Sequence, residues 1–135
     1  MSTSAMTVEV VSPEAVLFSG EGTMVITRTI GGGEIAFQPG HAAFLGALQT
    51  NHTRVFLVDG SVQDIAVHGG FVEVSNNKVS ILSDTAEVAG AIDVERARAA
   101  KERAEANLVR EHDAEAVAAL ARAHARLHAA GVTVN

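Results

Sequence analysis

Residues 33–48 read G-E-I-A-F-Q-P-G-H-A-A-F-L-G-A-L. Two short apolar runs, Ile35 to Phe37 and Phe44 to Leu48, flank the dipeptide Pro39-Gly40. Proline pre-sets φ for the first corner position of a turn, and glycine tolerates a positive φ at the next, so the pair reads as a tight corner between two strands. The corner is expected to bring Glu34 and His41 to one end of a sheet, flanking the same loop region. Strand, corner and strand follow one another with no helical period between them.

The pattern continues outward. Residues 8–11, 23–29, 54–58, 62–67, 71–74 and 79–82 are rich in β-branched side chains and separated by Gly, Asn, Asp and Pro. Asn76-Asn77 lies between two such runs and tolerates the left-handed conformation, which marks a two-residue hairpin, and Asp59-Gly60 marks another. Many short antiparallel strands with turn signals predict a β-sandwich or flattened barrel.

The composition changes near Gly90. Eleven of the 12 glycines and all five phenylalanines precede residue 91. Residues 1–90 hold three bases against nine acids, whereas residues 91–135 hold seven of each. The predicted architecture is therefore α+β in two parts: a sandwich over 1–90 and a two-helix hairpin over 91–135. In the second part Asp93 is placed to cap a first helix whose apolar stripe is Val94, Ala97, Ala104 and Leu108. Arg98 and Glu102 stand at i,i+4 on its wet side. The pattern lapses from Asn107 to Asp113. Asp113 can then cap a second helix with the stripe Val117, Leu120, His124 and Leu127, which Gly131 stops. Alanine buries little apolar area, so this hairpin is expected to be held weakly and to be able to open into a rod.

The whole-chain balance of −6 argues against nucleic acid, whose phosphates call for a basic surface. There is no cysteine, hence no disulfide framework and no thiolate zinc site. The opening residues M-S-T-S-A-M lack the basic and apolar regions of a targeting signal, and no apolar run approaches the roughly 20 residues of a membrane span. A soluble, cytoplasmic chain is expected, which can still dock on a membrane complex. His124 and His128 match H-x-x-x-H, but a third ligand and an adjacent Glu are missing, so no metal site is read there. His41 reads as a turn histidine bonded to local backbone, since neither a nucleophile nor a partner base accompanies it.

Three blocks, in order, resemble the epsilon subunit of bacterial F-type ATP synthases. The first is V-V-S-P-E-A-V-L-F-S-G-E at 10–21. The second is the 33–48 corner, where Gly33, Pro39, Gly40, His41, Ala42 and Leu45 match, while Gln38 and Ala43 depart from the usual residues. The third is residues 68–87, with Gly69, Gly70, Glu73, Val74, Asn77, Val79, Leu82, Asp84, Ala86 and Glu87 matching. The resemblance implies a non-catalytic central-stalk subunit that couples the c ring to the γ subunit, at the cytoplasmic face of the plasma membrane. It implies that Glu34 and His41 meet the c ring. It also implies that a mobile second helix carrying Arg122 and Arg126 presses on the α/β catalytic subunits and blocks ATP hydrolysis. The segment I-D-V-E-R-A adds Ile92, Asp93, Arg96 and Ala97 as a pattern associated with ATP as a regulatory ligand, with Arg103, Arg122 and Arg126 as its phosphate partners. No other cofactor is implied. The chain lacks a G-x-x-x-x-G-K-[ST] loop, so it is not expected to be the ATPase itself. The rival readings are a free-standing nucleotide-sensing module and, more distantly, an enzyme built on His41 and Glu34.

Overall fold

The structure, a computed structural model, describes residues 5–110 and 113–132. The first four residues of the segment read for a targeting signal, and positions 111 and 112 in the lapse between the helices, lie outside the described residues.

Among the described residues nine strands precede two helices. They are β1 (Met6–Val11), β2 (Val16–Thr29), β3 (Gly33–Phe37), β4 (Phe44–Leu48), β5 (Asn51–Leu57), β6 (Val62–Val67), β7 (Gly70–Ser75), β8 (Lys78–Leu82) and β9 (Ala86–Val88). A short 3-10 turn, Ala89–Ala91, leads to α1 (Val94–Arg110) and α2 (Ala114–Ala129). The strands hydrogen-bond in the order β1-β8-β7-β4-β2-β5-β6-β9, with β3 on β2 and a further β1–β2 pairing that closes β1-β8-β7-β4-β2 into a ring. The long strand β2 makes the fold possible. Gly22 pairs with Met6 of β1 and with Leu57 of β5, so β2 serves one sheet before this point and the other after it. A Cβ at Gly22 would lie 3.0 Å from Val8 Cγ2 and 3.2 Å from the Phe56 carbonyl oxygen; the crossing needs a bare backbone. One pairing departs from the antiparallel expectation, because β1 runs parallel to β8.

Period-two alternation holds on β1, β7 and β8, and it sends Val8, Val10, Val72, Val74, Val79 and Ile81 into one core with Val25, Phe37, Leu48, Val55, Ile65 and Val67. Thr27 and Thr53 are also buried, and their hydroxyls satisfy each other at 2.8 Å. The corner forms as expected: Gly40 has φ of +87°, and the His41 N–H donates to the Gln38 carbonyl at 3.0 Å. Asn76 and Asn77 both have positive φ, the requirement of the tightest hairpin turn.

The helices are capped by the predicted residues. Asp93 Oδ1 accepts from the Arg96 N–H, and Asp113 Oδ1 from that of Ala116; Gly131, with φ of +80°, ends α2. Two details differ from expectation. Arg98 pairs with Glu95 rather than Glu102, while Lys101 and Glu105 form the i,i+4 pair. The stripe of α2 is shifted: Val117 is 48 % exposed, and Ala116, Ala123, Ala125, Leu127 and Ala129 are buried. The reason is that α2 packs on two partners, touching α1 on one side and β5 and β6 on the other. Ala66 of β6 faces outward and meets Ala125, Ala129 and Ile92 there.

Candidate functional site

The N-terminus of α1, the end of β9 and the last turns of α2 converge on a cavity of about 310 Å³. It is lined by Glu87, Ala91, Asp93, Arg96, Ala97, Ala100, Arg103 and Arg126. Local structure explains each position. The cap formed by Asp93 starts α1 beside the cavity. From there Arg96, Ala100 and Arg103 follow at helical spacing and turn the same way. Small residues at 91, 97 and 100 leave the space open, and three guanidinium groups against two carboxylates make its wall a potential anion cradle.

Five of the seven residues that the sequence singled out for a nucleotide line this cavity: Asp93, Arg96, Ala97, Arg103 and Arg126. The other two do not. Ile92 packs under α2 against Ala66. Arg122 reaches back along its own helix, donating to Glu115 Oε1 at 2.7 Å. Arg126 is already engaged in this closed state, since its Nε donates to Glu87 Oε1 at 2.6 Å. The same carboxylate oxygen lies 3.0 Å from His68 Nε2. Burial by itself pushes the Glu87 carboxyl up, but the bonds from Arg126 and His68 outweigh it and hold it below the usual carboxylate range. Burial lowers His68, with Arg126 and Arg122 acting in the same direction against the raising effect of Glu87. Sequence reasoning found Arg126 but not its partners. Glu87 is one acid among nine in the sandwich, and no periodicity reveals that its oxygens turn toward a helix 39 residues later.

Glu34 and His41 are not brought together. They flank opposite ends of β3, which corrects the expectation of one shared loop region. Glu34 stands exposed opposite Arg28 beside the β2–β3 turn. His41 lies beyond the other end, its Nδ1 2.7 Å from the Ala42 carbonyl oxygen and its ring 4.9 Å, edge-on, from Phe37. The physical reason is strand geometry: Glu34 sits at the start of β3, and the rest of that strand, at about 3.3 Å per residue, lies between it and His41. The intervening turn is tied to the β7–β8 hairpin, with the Gly40 N–H donating to Asn77 Oδ1 at 2.6 Å. His124 and His128 stack at 6.2 Å and 26°. Among the described residues no group of three or more His, Asp or Glu side chains is arranged to hold a metal ion, and no helix is long and apolar enough to cross a membrane.

Comparison with known proteins agrees with this architecture. Residues 5–89 match the model of the ATP synthase delta/epsilon chain β-sandwich domain, and residues 91–131 match that of its long α-helix domain. The chain is 48 % identical over 109 residues to the ATP synthase epsilon chain of Brevibacillus brevis, covering 81 % of this chain and 82 % of the relative. With that of Desulfitobacterium hafniense it shares 45 % over 127 residues, covering 92 % and 95 %. Among solved structures, a chain of the Euglena gracilis mitochondrial ATP synthase assembly of OSCP, F1 and c-ring superposes with a TM-score of 0.80. At 22 % identity, covering 95 % of this chain and 82 % of that one, it supports the fold alone. This chain belongs to the ATP synthase delta/epsilon chain family, among the bacterial epsilon chains.

Proposed function

We propose that this non-catalytic central-stalk subunit couples the c ring to the γ subunit and brakes ATP hydrolysis through α2, with ATP as the ligand that keeps the brake folded away. The observation that carries the last part is the composition of the cavity. Its cationic residues come from both helices, Arg96 and Arg103 from α1 and Arg126 from α2. A triphosphate held between them would bind only the closed hairpin, and Asp93, on the same wall, has acceptor capacity for an adenine amino group. A ligand present at ten times its dissociation constant would favour the closed state by roughly 1.4 kcal/mol, enough to matter for an interface lined by alanine.

The sandwich suits the coupling role. Phe71 and Leu82 are cross-strand partners on its surface, and with Leu45 they are more than two-fifths exposed. These exposed apolar side chains on β4, β7 and β8 fit a protein partner, which we take to be γ. The c ring would then meet the sandwich at His41 and at Glu34, which stand at opposite ends of β3. Opened, α2 would offer Arg122 and Arg126 to acidic surfaces of the α/β catalytic subunits, at the cytoplasmic face of the plasma membrane. The rival, a free-standing nucleotide-sensing module, shares the cavity but needs neither these apolar side chains nor a complex.

Affinity purification of the intact chain separates the two: recovery of γ and the c ring supports the stalk reading, and recovery of the chain alone overturns it. Removal of residues 91–135 is expected to leave assembly and synthesis intact while raising ATP hydrolysis; unchanged hydrolysis removes the brake. Calorimetry tests the ligand. Heat on adding ATP that is lost in Asp93→Ala and Arg126→Ala supports the sensor, and no heat with the unsubstituted chain removes it.

A further inference from the structure

The surface that holds α2 against the sheet is unusually rich in imidazole. Four of the chain's six histidines lie there: His52 at the start of β5, His68 after β6, and His124 and His128 on α2. The side chain of His68 is 2 % exposed, and its Nε2 faces Glu87. A carboxylate can only accept, so Nε2 carries the proton of the neutral ring and Nδ1 holds the lone pair. Among the described residues Nδ1 is buried with no hydrogen-bond partner, as is Nε2 of His124. Protonating His68 would therefore place a second N–H where nothing accepts it, beside a carboxylate already engaged by Arg126.

The other rings form a file across the interface. His52 lies 6.5 Å from His128, and His128 lies 6.2 Å from His124. Their charged surroundings come from every packed element. Asp64 of β6 lies 2.7 Å from His52 Nε2 and 3.5 Å from Arg54 Nε of β5. Around His68 instead stand Arg122 and Arg126 of α2 and Glu87 of β9, while Asp93, Arg96 and Arg103 line the neighbouring cavity. Among the described residues Asp64 pairs with His52 at one end of the file, and no carboxylate acts on His128, so positive charge on His128 would go largely unmatched.

We propose that the contact between α2 and the sheet is a proton-sensitive latch, formed by the His68–Glu87–Arg126 bridge and the rings of His52, His124 and His128, and that acidification releases α2. The idea rests on reading α2 as a movable element, but on neither ATP nor the brake. The direction follows from linkage. His68 and His128 are both held below the ordinary histidine value, each chiefly by burial. Groups lowered in this way favour the docked state fully above about pH 6.5 and lose that contribution as pH falls toward their docked-state values. His68 can reduce the ratio of docked to released chain by up to about tenfold per pH unit within that window, and the exposed His128 by less.

The chain has no native cysteine, so a dye pair at Val62→Cys and Val117→Cys, both exposed positions, can follow release by energy transfer in the full chain without nucleotide. Transfer is expected to be high at pH 8 and to fall with a midpoint below 6.5. In His68→Gln/His128→Gln, where the neutral amide at position 68 can still donate to Glu87, the chain should stay docked throughout. Unchanged transfer down to pH 5 in the parent would overturn the latch, as would the same midpoint in the double variant. If the double variant is already open at pH 8, the histidine resonances of the unsubstituted chain decide. His68 titrating below 6.5 in step with release supports the proposal, and titration at or above 6.5 refutes it. A null ATP titration would leave this result standing, and failure of the latch would leave the coupling role standing.

Discussion

The sandwich and the hairpin are both built mainly from aliphatic residues, yet they cohere by different means. The sandwich core holds 13 buried residues from Val to Phe in size, each contributing about 1.5–3 kcal/mol of burial. The buried set of the helices is six alanines and Leu127, and one methyl group is worth about 0.8 kcal/mol. The hairpin makes up the difference with polar anchors: Arg126 on Glu87, and two carboxylate caps. The comparison teaches that an element meant to detach can be attached through groups that water can also satisfy.

The largest way to break the contrast is Gly70→Ala. Gly70 has φ of +114°, and a Cβ there would overlap the Leu82 carbonyl oxygen. The substitution should cost more than about 3 kcal/mol and lower the denaturation midpoint of the whole chain. Next comes a matched pair, Ile81→Ala in the sandwich and Leu127→Ala in α2, each removing a residue at most 2 % exposed. Both should cost about 2–5 kcal/mol. The first should shift global unfolding followed by near-complete loss of sheet signal; the second should lower helical circular dichroism while the sandwich transition barely moves.

A smaller effect is expected of Glu87→Gln, which removes the charge shared by Arg126 and His68. Docking of α2 should weaken by about 1–3 kcal/mol, read as faster amide exchange confined to α2. Smallest of all is Arg122→Ala. Its partner Glu115 is 77 % exposed, and a pair so open to solvent is worth under about 1 kcal/mol; calorimetry should show an unchanged unfolding temperature within error.

Much of this contrast was legible in the sequence, because alternation and turn chemistry act locally. Pro39-Gly40, Asn76-Asn77, the Asp93 and Asp113 caps and the Gly131 stop all follow from single-residue conformational preferences. What stayed hidden was nonlocal. The first half of β2, rich in Ser and Gly, carried no clean period, and β9 has only three residues. The shifted face of α2 depends on Ala66, whose outward position between Ile65 and Val67 on a strand buried on both sides reads as plain hydrophobicity. The site divided in the same way. Residues clustered around Asp93 were found together, whereas Glu87 and His68 became partners only through tertiary packing. Glu34 and His41, close in sequence, stand at opposite ends of β3.

The central claim is that the chain has two stabilities, and native-state hydrogen exchange across a denaturant series measures both at once. Amides of β7 and β8 should exchange only through global unfolding, with a steep denaturant dependence, while those of α2 should open at lower free energy and with a shallow one. Convergence of both sets on a single opening free energy and slope would contradict the account, because the helices would then be part of the base they are held to leave.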